Sequence, residues 1–223
     1  MTERDRLKKA LFDAIDAANP DGTYADDALA LVHERVQALV PHSPIPRPVD
    51  AQDKVASPWA TLFAQFGPRH TAGKPIVHET TLALQSFNAL PKVPVIVRHL
   101  EQEIDHRDKH YNNVVTVTPP DGSCEAHVIT WGRYDIDAEE PQRYKVGFYQ
   151  VELRGPEGMA DDVLRSSFGL APDQPLVVTL KPPKLHSDVV YCDDDTRVNF
   201  GSMGGMYVLK RLDHAGRSVR FGP

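Results

Sequence analysis

Apolar residues recur with a helical period near the start of the chain. The first set lines one face of a helix, and its members are Leu7, Ala10, Leu11, Ala14, Ile15 and Ala18. A weak capping pair, Thr23 with Asp26, precedes a second set that ends at Pro41. This second set comprises Leu29, Val32, Val36, Leu39 and Val40. The pattern predicts two antiparallel helices, which we expect to lie against the rest of the protein or to close one end of it.

The pattern changes after a proline-rich segment to one that is typical of β-strands. Four prolines between residues 41 and 48 predict an extended connector, because their rings fix φ. Beyond it, β-branched and aromatic residues form short runs separated by turn residues. These runs are 59–66, 76–87, 93–97, 99–104, 113–118, 124–136, 142–153, 176–180, 187–191 and 205–212. Short turns, and the lack of helical patterns between most runs, predict an antiparallel meander that closes on itself.

The predicted fold is therefore mainly β. Residues 44–223 are expected to form a lipocalin-like antiparallel β-barrel, with residues 1–43 as an N-terminal helical hairpin, the two making one structural unit. A barrel of about eight strands has room inside for side chains or for one small ligand. The apolar positions of residues 144–153 shift parity, which predicts a β-bulge at Gly147. Residues 155–174 are expected to form a long loop with one helical turn, either a flap over a cavity or an ordinary surface excursion.

The most unusual stretch of the chain lies near its end. Three adjacent aspartates, an arginine and several glycines separate two apolar runs at 189–191 and 205–209. Glycine adopts turn conformations with positive φ at little cost, so a sharp reversal is expected. Arg197 is predicted to pair with one of the aspartates, because a guanidinium can form two hydrogen bonds with a carboxylate. The alternative is a calcium site, although calcium loops usually place their ligands at alternate positions.

One ordered set of residues in this stretch carries a family resemblance. The set is Tyr191, Asp193, Asp195, Arg197, Val198, Gly201, Gly204, Tyr207, Val208 and Leu209. It resembles the C-terminal signature of the plastid lipid-associated protein, or PAP/fibrillin, family, and the chain looks like a bacterial-type member. Phe200 stands where that family usually has an arginine. The two helices, the proline-rich segment and the aromatic strand at Trp59 also resemble the family, and the resemblance implies association with lipids.

Composition and charge narrow the range of partners and locations. The hydrophobic content of 41% is ample for a core, whereas a net charge of −6 and a pI near 5.9 disfavour nucleic acid and anionic membranes. The sequence contains no apolar run of the roughly 20 residues that cross a bilayer and no targeting segment, so we expect a cytoplasmic protein without a transmembrane segment. Cys124 and Cys192 lack metal-binding spacing, and we expect free thiols in a reducing compartment.

Patterns that would indicate catalysis or metal binding are weak. His106 and His110 have helical i, i+4 spacing, but charged neighbours predict a solvated turn instead. His78 and His127 are candidates to point into the barrel, where a buried, hydrogen-bonded histidine is the simpler interpretation. The chain has no nucleophile-elbow serine and no glycine-rich nucleotide loop. No cofactor and no metal are therefore predicted, and no catalytic residue is assigned.

Aromatic residues on different predicted strands give the clearest indication of a binding site. Several could converge on one interior, either as an ordinary core or as the lining of a cavity for an apolar ligand. Arg133 or Arg197 would then supply a polar contact at the mouth. The predicted ligand-binding set is Trp59, Phe63, His78, Trp131, Arg133, Phe148, Arg197 and Tyr207.

The function that follows is binding of a hydrophobic small molecule, lipid or isoprenoid-like, in the barrel. One alternative is an enzyme, a cyclase, isomerase or hydrolase, that uses the same cavity with His78 or His127 and Glu79 as acid and base. Another is a structural or interaction protein whose barrel is filled. The sequence pattern indicates no particular oligomeric state.

Overall fold

The chain folds as a mainly β protein with helices at its N-terminus, as predicted. A computed structural model describes residues 1–19, 24–65, 75–76, 81–84, 87–181 and 184–212. Its strands are β1 (Ser57–Gln65), β2 (Pro75–Ile76), β3 (Thr81–Leu84), β4 (Val93–Asp105), β5 (His110–Thr118), β6 (Ala126–Ile136), β7 (Arg143–Arg154), β8 (Val177–Thr179), β9 (Leu185–Cys192), β10 (Thr196–Gly201) and β11 (Met206–Arg211).

Eight of these strands form a closed antiparallel barrel. Neighbours pair in the order β1, β4, β5, β6, β7, β9, β10 and β11, and β1 pairs with both β4 and β11, which closes the ring. The short strands β2, β3 and β8 add to β1, β4 and β7 outside this ring. The predicted closed barrel is thus confirmed.

The two N-terminal helices pack on the outer wall of the barrel. Helix α1 spans Glu3–Ile15 and begins with a capping box between Thr2 and Asp5, whereas helix α2 spans Asp26–Leu39. The predicted cap Thr23 lies outside the described residues. The apolar stripes of both helices bury Leu7, Leu11, Ala14, Ile15, Val32, Val36 and Leu39 against Phe63, Tyr191, Val198, Met206 and Val208. The helices therefore lie against the wall formed by β1, β9, β10 and β11.

The proline-rich connector is more folded than predicted. It contains two 3-10 turns, Val40–His42 and Pro48–Asp50, followed by the short helix α3 (Gln52–Val55). The Pro48 carbonyl accepts a hydrogen bond of 2.8 Å from the buried Tyr144 hydroxyl. Because proline is well tolerated in the first turn of a helix, these residues form turns rather than an extended chain. The connector thereby covers one end of the barrel.

The predicted bulge exists, but two residues further along β7. The register shifts between the pairs Trp131 with Gln150 and Gly132 with Phe148, so the intervening Tyr149 is the extra residue. Gly147 pairs in register and is not the bulged residue. The φ of Tyr149 is not positive, and such a bulge does not require glycine.

Two other strand predictions need correction. Runs 93–97 and 99–104 form the single strand β4, with a register shift between Val97 and His99. The reversal between 189–191 and 205–209 is not one hairpin, because β10 lies between β9 and β11 and pairs with both. Arg197 and Asn199 occupy the inward positions of β10, and these polar residues hid its alternation of apolar and polar positions.

The barrel interior has an aromatic half and an aliphatic half. Side chains from seven of its strands meet in one cluster, which must therefore lie inside: Trp59, Ile104, Tyr111, Tyr134, Tyr144, Val146, Phe148, Val189, Cys192 and Leu209. A second cluster lies on the inner faces of strands β4 to β7 and comprises Val95, Val97, Val117, Ala126, Val128, Val151 and Leu153. The segment after β7, with helix α4 (Asp161–Ser167), covers this aliphatic half through Leu164, Phe168, Leu170 and Leu176. The predicted loop is thus a cover over one end of the barrel.

Candidate functional site: the barrel interior

A buried arginine occupies the aromatic half of the interior. Arg197 projects inward from β10 and has no exposed surface. Its guanidinium carbon lies 5.0 Å from the centre of the Trp59 ring, and its Nη2 donates to Gln102 Oε1. Nε and Nη1 have no hydrogen-bond partner in the described part of the chain. Burial lowers the pKa of this guanidinium, because a charge that leaves water loses several kcal/mol of solvation.

Neutral polar side chains surround the arginine. The Tyr111 hydroxyl lies 3.2 Å from Gln102 Oε1 and 3.1 Å from Ser187 Oγ. Asn199 Nδ2 donates to the same Ser187 oxygen at 2.9 Å, whereas Asn199 Oδ1 is buried without a partner among the described residues. The cluster is therefore positively charged, and the described residues leave several of its hydrogen-bonding atoms without a partner.

The interior becomes apolar toward the α4 end. Phe148 continues the aromatic lining, with its ring centre 6.5 Å from that of Tyr111, and the inward residues beyond it in β7 are Val151 and Leu153. The Phe87 ring lies 5.4 Å from Phe148 and remains partly exposed at the barrel margin. The inward side chains thus change from a charged polar cluster at one end of the barrel to an aliphatic region under α4.

The structure places four of the predicted ligand-binding residues together. Trp59, Phe148, Arg197 and Tyr207 belong to the aromatic half of the interior. His78 lies outside the described residues, as does Glu79. The remaining three, Phe63, Trp131 and Arg133, do not face the interior.

Strand geometry explains where these three residues lie. The register of β1 shifts between Thr61 and Phe63, so Phe63 turns outward and packs beneath the helices. Trp131 and Arg133 occupy the opposite face of β6 from the inward Tyr134. Trp131 is buried in a separate outer cluster, and Arg133 is exposed. Neither arginine is a contact at a mouth, because Arg197 is fully buried and Arg133 lies on the outer face of β6.

A family model for PAP_fibrillin matches residues 5–210 of the chain. The chain belongs to the PAP/fibrillin family. No curated protein and no solved structure gives a significant match. No helix among the described residues of this PAP/fibrillin protein is both long and apolar enough to cross a membrane.

Three residues of the PAP/fibrillin signature, Tyr191, Asp193 and Asp195, build the joint between the barrel and α1. Asp193 Oδ1 accepts the backbone N–H groups of Asp195 and Thr196 at 3.1 and 2.9 Å. Asp193 Oδ2 accepts the Tyr191 hydroxyl at 2.5 Å and Lys8 Nζ at 2.9 Å. Lys8 Nζ also donates to Asp195 Oδ1. The aspartates therefore pair with Lys8, and the predicted ion pair with Arg197 is wrong because that side chain points to the other face of the sheet.

Hydrogen bonding stabilises the ionised form of Asp193. Burial by itself would raise the pKa of this carboxyl group, but the bonds from Tyr191, Lys8 and the two backbone N–H groups outweigh it. The pKa is therefore lowered from 3.8 to about 2. The predicted calcium alternative gains no support, since no group of three or more His, Cys, Asp or Glu in the described chain could hold a metal ion.

The signature glycines shape the turn between β10 and β11. Gly204 has a φ of +80°, a conformation that favours glycine. Its N–H donates to the Gly201 carbonyl at 2.9 Å, and the Gly201 N–H donates to the Gly205 carbonyl at 2.8 Å. The turn thereby places Tyr207 beside Asn199, its partner in the neighbouring strand β10.

The second histidine of the enzyme hypothesis lies on the outside of the barrel. His127 alternates with the inward Ala126 and Val128 on β6, and its Nδ1 lies 3.2 Å from Thr116 Oγ1. It lines a surface cleft of about 510 Å³ that also includes Glu152 and Val177 and reaches Leu153 and Leu164 of the aliphatic cluster. His127 therefore lies on the opposite face of β6 from the polar cluster around Arg197.

The polar residues of the interior were missed from the sequence. Gln102, Tyr111, Ser187 and Asn199 looked like ordinary strand residues, yet all share an inward position with apolar neighbours such as Ile104 and Val189. Polar residues at the inward parity of a strand are the signal that could have identified them.

Proposed function

We propose that this PAP/fibrillin protein binds a hydrophobic small molecule, lipid or isoprenoid-like, inside its barrel. The observation that carries the proposal is the continuous set of inward side chains that runs from the polar cluster around Arg197 to the aliphatic residues beneath α4. Ligand sites commonly combine an apolar lining with a few polar groups. Family membership supports the same proposal.

The expected affinity is moderate. Burying about 300 Å² of apolar ligand surface contributes roughly 7 kcal/mol at about 25 cal/mol per Å², before the cost of association. Polar contacts inside the barrel would offset part of that cost. Affinities near micromolar are therefore attainable without any reaction.

The proposal is tested by what accompanies the purified protein and by what it binds. Lipid extraction followed by mass spectrometry should find an apolar compound in near-stoichiometric amount, and a fluorescent fatty acid should bind the delipidated protein. Val128→Phe, which adds volume to the aliphatic half, should weaken probe binding, whereas Val177→Phe in the outer cleft should not.

Each contrary result has a distinct meaning. An empty preparation that also ignores the fluorescent probe would refute ligand binding and favour a structural protein with a filled barrel. Binding that is lost in Val177→Phe but kept in Val128→Phe would move the site to the outer cleft. Circular dichroism of both variants controls for loss of fold.

A further inference from the structure

Among the residues that the structure describes, no side chain inside the barrel balances the charge of Arg197. Its side chain is fully buried, and only Nη2 has a hydrogen bond, to the neutral amide of Gln102. Nε and Nη1, which together carry three of the five guanidinium N–H donors, have no partner within the described ranges. No described carboxylate forms an ion pair with this arginine, in contrast to Arg143, which holds Asp188 through two bonds on the outer surface.

The surroundings of Arg197 increase its attraction for an anion. Its polar neighbours Gln102, Tyr111, Ser187 and Asn199 are all uncharged. Arg211 adds a second guanidinium, 4.4 Å from the centre of the Trp59 ring, at the end of the barrel that the connector covers. In a buried site of low effective dielectric constant, a positive group attracts a negative one far more strongly than in water.

We infer that Arg197 receives the acidic headgroup of the ligand, which is therefore an amphiphile with one carboxylate and a long apolar tail. This inference rests on the proposed binding function and specifies its ligand class. A single carboxylate balances the single buried charge and can accept two N–H bonds from a guanidinium. The tail then extends past Phe148 toward Val151 and the aliphatic residues under α4.

A hydroxyl beside the arginine can add to this recognition. Ser187 Oγ takes hydrogen bonds from Tyr111 and Asn199, and its own O–H can donate to a carboxylate oxygen. A neutral headgroup, such as an alcohol, would leave the guanidinium uncompensated. Selectivity for the acid over the alcohol is therefore the direct consequence.

The experiment compares ligands that differ only in the headgroup. Oleate, oleyl alcohol and oleyl phosphate are titrated into delipidated wild-type protein and into Arg197→Met and Arg197→Lys by calorimetry. Wild type should bind oleate roughly 10- to 100-fold more tightly than oleyl alcohol, the range expected for hydrogen bonds to a charged group. Arg197→Met should lose this preference and keep its affinity for the alcohol, and Arg197→Lys should retain part of it.

A structural role for Arg197 predicts different results. If the guanidinium only links Gln102 to Trp59, Arg197→Met should be less stable and should bind all three ligands equally poorly. Removal of an uncompensated buried charge should instead leave the melting temperature unchanged or higher.

The remaining outcomes distinguish a failure of this inference from a failure of the proposed hydrophobic-ligand binding. Equal binding of oleate and oleyl alcohol by wild type would overturn the inference and leave hydrophobic binding intact. A preference for oleyl phosphate over oleate would overturn the assignment of a carboxylate. If no ligand binds, the proposed function fails as well. Should Arg197→Met not fold, ligand-induced shifts in the melting temperature of wild type give the same comparison of headgroups.

Discussion

Replacing Asp193 by asparagine tests the joint between α1 and the barrel. Asparagine can still accept the N–H groups of Asp195 and Thr196 through its oxygen, which replaces Oδ1. Its amide NH2 would then face the Tyr191 hydroxyl and Lys8 Nζ, which now donate to Oδ2. Two hydrogen bonds to a charged acceptor are lost. The Lys8 ammonium then faces another donor, and the Tyr191 hydroxyl has to rotate to accept from the amide.

The pKa of Asp193 gives the size of the effect. A pKa lowered from 3.8 to about 2 corresponds to about 2 kcal/mol of stability, since one pKa unit is worth about 1.4 kcal/mol. Mutational values of about 1.5–3 kcal/mol for hydrogen bonds to charged groups agree. The side chain is only 7% exposed, so solvent screening is weak. We expect Asp193→Asn to be about 2 kcal/mol less stable at neutral pH.

The pH dependence provides a stricter test. Because the folded-state pKa lies below the unfolded value, the contribution is fully present above about pH 5 and is lost as the pH falls through 3.8 toward about 2. Urea denaturation at about pH 7 and about pH 3 should therefore show a difference between wild type and variant that narrows in acid. Asp194→Asn, which alters the adjacent exposed side chain, is the matched control. Equal stabilities at neutral pH, or a difference as large at about pH 3 as at about pH 7, would refute this explanation of the joint.

Two further predictions concern packing. Gly132→Ala should lower the free energy of unfolding by about 2 kcal/mol or more, because its Cβ would lie 2.4 Å from the Tyr111 carbonyl oxygen and 2.8 Å from the Phe148 ring. Gly201→Ala, with contacts no shorter than 3.5 Å, is the control. Similar urea midpoints for the two variants would contradict the close approach. Leu11→Ala should lose about 3 kcal/mol in the same assay, because this fully buried side chain joins α1 to the barrel wall, and a loss below about 1 kcal/mol would show that the helix contributes little there.

The periodicity of apolar residues predicts the helices and most of the barrel strands, because the buried faces of these elements are apolar. The stripes of α1 and α2 and the alternating strands from β4 to β7 required only local patterns. Strand β10 escaped because Arg197 and Asn199 fill its inward positions, where apolar residues were expected. The identity of the strands that pair to close the barrel depends on contacts between distant parts of the chain. The sequence predicts that the sheet closes, but not that β1 pairs with both β4 and β11.

The candidate site was predicted only in part, because residue type does not reveal the direction of a side chain. Trp131 and Tyr134 lie three positions apart on β6, so their opposite faces follow from simple alternation and were open to prediction. Phe63 is different, because a register shift in β1 turns it outward, and nothing local in the sequence marks that shift. The hydrogen-bond partner of Arg197, Gln102, comes from β4, and that contact depends on the closed barrel.

Arg197 is the position at which stability and the interior chemistry favour different residues. A barrel optimised for stability alone would hold an apolar side chain here, since apolar replacements of buried charges are often neutral or stabilising. An acidic ligand that binds only the folded state adds about 2.7 kcal/mol when it is present at about 100 times its dissociation constant. Replacing Arg197 by methionine should therefore raise the stability of the ligand-free protein and reduce the stabilisation by oleate. If the arginine binds the charged headgroup of the ligand, the stability of the ligand-free protein should rise while the stabilisation by oleate falls. A purely structural guanidinium would not change these two quantities in opposite directions.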